Sequence, residues 1–198
     1  MPLPEGLAIS LATPQDAADL QAFQSDTRLV AFARELGLPI SLKAPGNPAA
    51  VAGFKERIAR SSASLAEDGD MAFVVARSPL VQEYGGMAGA LLVHRIDDDA
   101  VAFVEIDVHP PLRRQRIGSA LLGFALRELH ITGGDELSAS AVVQDMAARW
   151  FWVHNGMQRT GASHDDPNTM LRGQYFFLEY AAPQAVVAAA VYARLAQP

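Results

Sequence analysis

The chain contains no cysteine, which excludes disulfides, thiolate zinc sites and thiol nucleophiles. It is also poor in charge, with 19% charged residues among 198, and its acids outnumber its bases to leave a net charge of -6. Affinity for nucleic acid comes mainly from neutralising phosphates, so no nucleic-acid partner is expected of a chain with a pI near 5.3. No apolar run approaches the roughly 20 residues that cross a bilayer. The opening Met1-Pro2-Leu3-Pro4-Glu5 lacks the basic-then-apolar pattern of a secretory leader. The expected setting is cytoplasmic, away from membranes.

Several catalytic signatures are missing as well. There is no G-x-x-x-x-G-K-[ST] phosphate loop, no G-x-G-x-x-G dinucleotide turn and no G-x-S-x-G nucleophile elbow. The histidines at 94, 109, 130, 154 and 164 show no H-x-x-x-H spacing, so no metal site is expected.

What remains is a chain that is 50% hydrophobic, long enough for one domain with a sizeable core over 1–198. Thr13-Pro14-Gln15-Asp16 supplies a cap residue, a proline at the first helical position and an acid at the third, which predicts a helix to about Gln24. Further helical patterns cover Leu29–Leu36 and Ala49–Ala66, separated by a Pro39 to Ala50 stretch rich in breakers. Strands are expected at Leu7–Leu11, Met71–Ala76, Gly86–Val93 and Val101–Val108, with Asp97-Asp98-Asp99 as a solvated hairpin loop. Later come a strand at Glu136–Val143, a helix at Gln144–His154 closed by Asn155-Gly156, strands at Met157–Thr160 and Tyr175–Tyr180 around a polar Ser163–Gly173 loop, and a helix at Pro183–Ala196. That last helix packs on the core or on a second subunit, which leaves a homodimer open. The order predicts an α/β (α+β) fold: one mixed, mostly antiparallel central sheet of about seven strands with helices on both faces.

One stretch organises the rest. Val108-His109-Pro110-Pro111-Leu112-Arg113-Arg114-Gln115-Arg116-Ile117-Gly118-Ser119-Ala120 runs from the end of a strand into a helix striped by Leu121, Leu122, Ala125, Leu126 and Leu129. Unpaired N–H groups at a helix start, beside Arg113, Arg114 and Arg116, make a seat for a phosphate or pyrophosphate. Gly118 would let a ligand come close, and Ala120 keeps the next turn small. A basic turn that merely caps a core helix fits the same residues.

Gln115-Arg116-Ile117-Gly118-Ser119-Ala120 resembles the [QR]-x-x-G-x-[GA] signature of the GNAT superfamily of acyl-CoA N-acyltransferases, and the preceding Val108-His109-Pro110 resembles the end of that family's fourth strand. Ala147 to Met157 is similar to the family's second recurring pattern, with methionine where the last phenylalanine is usual. The resemblance covers about residues 7 to 181, leaving the helix at 183–196 outside it. It implies acetyl-CoA as co-substrate, with its pyrophosphate on Arg113, Arg114, Gln115, Arg116, Ile117, Gly118, Ser119 and Ala120. It also implies that the backbone at or near Val108 bonds the pantetheine arm and polarises the thioester carbonyl. The reaction so implied is transfer of an acetyl group to a primary amine of a small molecule or peptide by direct attack, without a covalent enzyme intermediate.

Strand alternation places Ala102, Val104, Ile106 and Val108 on one face, and Phe103, Glu105, Asp107 and His109 on the other. Carboxylates on a central strand either pair or do chemistry. Glu105 is read as the general base, acting through a water, with a structural ion pair or an amine anchor as the competing roles. Asp107 is read as structural, His109 as a local contact and His154 as a surface cap. Where relatives place a tyrosine as leaving-group acid this chain has Trp152, which cannot transfer a proton, so Tyr175, Tyr180 or a water would have to serve. Two other readings stand beside the enzyme: an acyl-CoA-binding module with little catalysis, and a small domain whose arginine turn contacts a partner protein.

Overall fold

The computed structural model describes residues 3–24, 71–96, 101–129, 136–142, 146–164 and 176–197, together with residues 52, 55, 56, 58 and 59. The stretches at 29–36, 39–50, 97–99, 132–135 and 165–175 lie outside the described residues.

Strand β1 (Ala8–Leu11) is followed by a short 3-10 turn at Pro14–Asp16 and a helix, α1, at 17–24. The expected start signal works as read. The Thr13 N–H donates to Asp16 Oδ2 at 2.7 Å, its hydroxyl donates to the same oxygen at 2.9 Å, and Arg77 Nη2 donates to Asp16 Oδ1. A second helical segment, α2, includes 52, 55, 56, 58 and 59. Then come β2 (Met71–Arg77), β3 (Met87–Ile96), β4 (Val101–Val108), helix α3 (Ile117–Glu128), β5 (Glu136–Val142), helix α4 (Met146–His154), β6 (Gln158–His164), β7 (Phe176–Pro183) and helix α5 (Gln184–Leu195). β6 and β7 run past their expected ends because each pairs with the other through Gln158–Ala181 to His164–Phe176.

The seven strands form one mixed, mostly antiparallel sheet in the order β1-β2-β3-β4-β5-β7-β6, as expected, but it is built in two parts. Strands β1 to β4 make a four-strand antiparallel part, and β5, β7 and β6 a three-strand antiparallel part. Among the described residues the two parts join through three parallel pairs, Val101, Ala102 and Phe103 of β4 with Glu136, Leu137 and Ser138 of β5. Past those three pairs the strands separate, leaving a wedge that opens toward the C-terminal ends of both.

Each face of the four-strand sheet carries its own core. On one side Ala72, Val74, Leu91, Val93 and Val104 pack with Ile117, Leu121 and Leu122 of α3 and with Val187 and Val191 of α5. On the other, Phe73, Val75, Ala90 and Leu92 pack with Ala17, Leu20 and Phe23 of α1 and Ile58 of α2. Helices therefore cover both faces, as the pattern predicts. Fully buried side chains such as Leu20, Phe23, Leu121 and Leu122 contribute roughly 1.5–3 kcal/mol each. Helix α5 docks on α3, where a Cβ on Gly123 would stand 3.2 Å from both Leu195 Cδ1 and Val191 Cγ1. Its Val187 and Val191 are buried in the core.

A bulge in β3 brings α3 onto the sheet. The register with β2 slips between Ala76 and Arg77, whose partners are Gly89 and Met87. A Cβ on Gly89 would lie 3.0 Å from Leu121 Cδ1 and 3.1 Å from Ile117 Cγ2, so a side chain there would press on α3 and make its neighbours shift.

Candidate acyl-donor site

The expected strand, turn and helix are present at Val101–Val108, 109–116 and Ile117–Glu128. After β4 the His109 N–H donates to Ala88 O at 2.9 Å, and a 3-10 turn at Pro110–Leu112 reverses the chain. The next residues adopt an unusual backbone. Arg114 has φ 69° and Arg116, the residue capping α3, has φ 63°. Left-handed arginines are disfavoured by contact of Cβ with the carbonyl, so the surrounding structure imposes them. No side chain caps the start of α3, and its first internal bond runs from the Ala120 N–H to Arg116 O at 2.9 Å. The N–H groups of Ile117, Gly118 and Ser119 precede that bond and belong to the set that lacks intrahelical acceptors. They lie at the positive end of the helix dipole, next to an exposed Arg114.

The side chains around this seat have roles that sequence did not disclose. Arg113 is half-buried and its Nε donates to Val108 O at 3.2 Å, tying the turn to the end of β4. Arg116 Nη1 donates to the carbonyl of Gln197, just beyond α5. Ser119 points inward, its Oγ donating to Asn155 Oδ1 at 3.1 Å, and both residues are buried. Gly118 serves packing as well: a Cβ there would stand 2.8 Å from Phe151 Cε2 of α4. Gly118 and Ser119 thus seat α3 against α4. Gln115 is half-buried, and Ile117 and Ala120 are buried.

Helix α4 closes as expected. Gly156 has φ 88°, its N–H donates to Val153 O at 3.1 Å, and the Met157 N–H reaches Trp152 O. Asn155 Nδ2 donates to Phe151 O at 2.8 Å. Sequence marks Asn155-Gly156 only as a stop signal, and nothing local announces the partnership with Ser119. His154 makes the local contact expected of it, with Nδ1 2.8 Å from Trp150 O.

On β4, Val104 is buried and Ile106 and Val108 pack partly on the α3 side, which puts Glu105, Asp107 and His109 on the α1 side. Glu105 and Asp107 are half-buried and both have interaction partners. His109 Nε2 lies 3.5 Å from Glu83 Oε2, and the rings of His109 and Tyr84 are 6.3 Å apart. Glu83 and Tyr84 belong to the turn before β3, where Tyr84, Gly85 and Gly86 all have positive φ. Asp19 of α1 overlies that turn, since a Cβ on Gly85 would fall 2.5 Å from its Oδ2. Trp152 is 4% exposed within the main core. Among the described residues, no group of three or more His, Cys, Asp or Glu is placed to hold a metal ion, and no helix is long and apolar enough to cross a membrane.

No family model matches the sequence, and no curated protein matches it. Solved structures do. An N-acetyltransferase from Staphylococcus aureus Mu50 superposes with a TM-score of 0.67 at 14% identity, over 91% of this chain and 99% of that one. A GNAT-family acetyltransferase from Streptococcus pneumoniae gives 0.62 at 15% identity, over 89% and 98%. A Salmonella typhimurium protein solved with its cofactor acetyl-CoA gives 0.58 at 16% identity, over 91% and 95%. The chain has the fold of the GNAT acetyltransferases.

Proposed function

We propose that this chain is an acetyl-CoA-dependent N-acetyltransferase that acts on a primary amine of a small molecule or peptide. One observation carries the reading. The wedge between β4 and β5 opens directly beside a loop whose left-handed arginines lead into an uncapped helix start. A chain-like donor with an anionic end fits both at once, the pyrophosphate on residues 113 to 120 and the arm along the free edge of β4. The presence of acetyl-CoA in a structure of the same fold supports that choice of donor.

In this reading the Val108 N–H donates to the thioester oxygen, where negative charge grows as the amine attacks. A preorganised donor of that kind contributes roughly 10²–10³ in rate. The base is Glu105. It lies three residues before Val108, a distance of about 10 Å along a strand, so it takes the amine proton through a bridging water. Asp19, Glu83, Glu105 and Asp107 all lie toward the α1 side, which suits an acceptor that arrives as a cation.

The second reading, an acyl-CoA-binding module, is favoured by the burial of Trp152 at the position where relatives carry a tyrosine. Calorimetry with CoA, acetyl-CoA and ATP comes first: micromolar binding of both CoA species and none of ATP is expected, and absence of CoA binding at millimolar ligand overturns both readings. Release of free CoA thiol across a panel of amines then separates enzyme from binder. Glu105→Gln should slow that release about 100-fold while leaving CoA affinity within twofold; an unchanged rate removes Glu105 from the chemistry.

A further inference from the structure

Helix α5 buries Val187 and Val191 against the core, and the side it turns away carries no charge. We propose that this side, continued onto α4, is the contact by which two copies of the chain form a symmetric dimer, with α5 of one copy laid against α5 of the other. This contact is independent of the acetyl-CoA reading.

Helices α3, α4 and α5 share one core over one face of the sheet, entered by Leu121 and Leu122, by Trp152, and by Val187 and Val191. The sides they turn away from it therefore belong to one outer layer. Within that layer the end of α4 adjoins the start of α5. The Gly156 N–H donates to Val153 O, and a Cβ on Gly156 would lie 3.1 Å from Val186 O and 3.2 Å from Ala190 Cβ. The exposed positions of α4 are Met146, Ala147, Trp150, Val153 and His154. Those within α5 are Ala185, Val186, Ala189, Tyr192 and Ala193. Neither set contains an Asp, Glu, Lys or Arg. Of the seven large apolar side chains exposed among the described residues, five stand here, each 43% exposed or more. Scattered apolar residues are ordinary on a surface, but a cluster on two adjoining helices marks a contact. With the alanines between them these five offer about 600 Å² per copy, the top of the range for one patch on a monomer. A two-fold contact doubles that to about 1,200 Å², where specific dimers begin.

Charge selects a second copy as the occupant. Each chain carries a net charge of -6, so two copies repel unless they meet where acids are missing. Asp19, Glu83, Glu105 and Asp107 lie toward the α1 side, across the sheet from α4 and α5, and stay apart in such a pair. A lipid surface draws in an amphipathic helix through Lys and Arg on its polar face. Here α4 and α5 have one arginine each, Arg149 and Arg194, and both are half-buried. Ala185, Ala189 and Ala193 recur every four residues along α5, so a second helix can approach to about 8 Å between axes. Near Tyr192 the exposed Arg127–Glu128 pair of α3 supplies a polar rim.

Sedimentation equilibrium of the full chain tests the assembly. At about 100 µM the wild type is expected at twice its 21.2 kDa. Val186→Glu and Ala189→Glu each bring like charges together across the two-fold axis and should weaken association at least about 100-fold. Leu80→Glu, at an exposed position in the turn after β2, should leave association within about twofold. If the glutamate variants fail to fold, Ala189→Cys carries the test. As the only thiol in the chain it should cross-link two copies on mild oxidation, whereas Leu80→Cys should not. A wild type that is monomeric at that concentration overturns the dimer, and one that is monomeric yet sediments with phosphatidylcholine–phosphatidylglycerol vesicles gives the face to lipid instead. A dimer indifferent to both glutamates, or an Ala189→Cys variant that does not cross-link, overturns this contact as well. None of these outcomes bears on acetyl transfer.

Discussion

Ser119 Oγ donates to Asn155 Oδ1 at 3.1 Å, joining the first turn of α3 to the residue that ends α4. Asn155 is 0% exposed and also donates to Phe151 O, so it satisfies a buried hydroxyl and a helix carbonyl at once. Asn155→Ala should therefore lower unfolding stability by about 2–3 kcal/mol, and Ser119→Ala by about 1 kcal/mol. Because the Ser119 side chain faces away from the anion seat, Ser119→Ala should leave CoA affinity within twofold. Urea unfolding and calorimetry on the same preparations check both.

Gly118→Ala places a methyl group 2.8 Å from the ring of Phe151. Backbone and ring cannot both stay where they are, and overpacking of this kind costs roughly 1–3 kcal/mol. The loss should shrink when Phe151→Leu is added, because a smaller side chain gives the methyl room. A double-mutant cycle in urea reads the coupling, and strict additivity would contradict the contact.

Arg114→Gly is expected to move stability and binding in opposite directions. Relief of a φ of 69° stabilises by about 1 kcal/mol, whereas loss of the exposed guanidinium weakens CoA binding several-fold. The melting temperature should rise while the Kd rises too. A variant that loses stability would show that the left-handed backbone is not strained.

At the other end of the four-strand sheet, Asp16 accepts from the Thr13 N–H and from Arg77 of β2. Asp16→Ala removes the cap and the ion pair together, with an expected cost of about 1–2 kcal/mol, mostly from the cap. Arg77→Ala should cost less than half of that, measured by thermal or urea unfolding.

The parts of the fold that were legible in sequence are those set by neighbours along the chain. β4 and α3 are announced by alternation and by a leucine stripe, the turn at Thr13–Asp16 by its cap chemistry, and the end of α4 by Gly156. What was hidden depends on residues far apart. The division of the sheet rests on β4 and β5 sharing only three pairs, and neither strand's sequence encodes where its partner diverges. The packing of Gly118 on Phe151 and of Ser119 on Asn155 was hidden because those neighbours stand more than 30 positions later. Arg113 and Arg116 read as one basic cluster, yet each is drawn to a backbone carbonyl, one of Val108 and the other of Gln197. His109 was read as a local contact, and its pairing with Glu83 agrees; the unpaired nitrogen on its other side shows only in three dimensions.

The wedge between β4 and β5 has a closed end as well as a mouth. It shuts where Phe103 pairs with Ser138, and the five residues from there to Val108 span roughly 16 Å of strand. Leu137, beside that last pair in β5, is fully buried. On the proposed reading, the pairing that joins the strands would also act as a ruler, setting an upper length for the acyl tail of a donor lying in the gap.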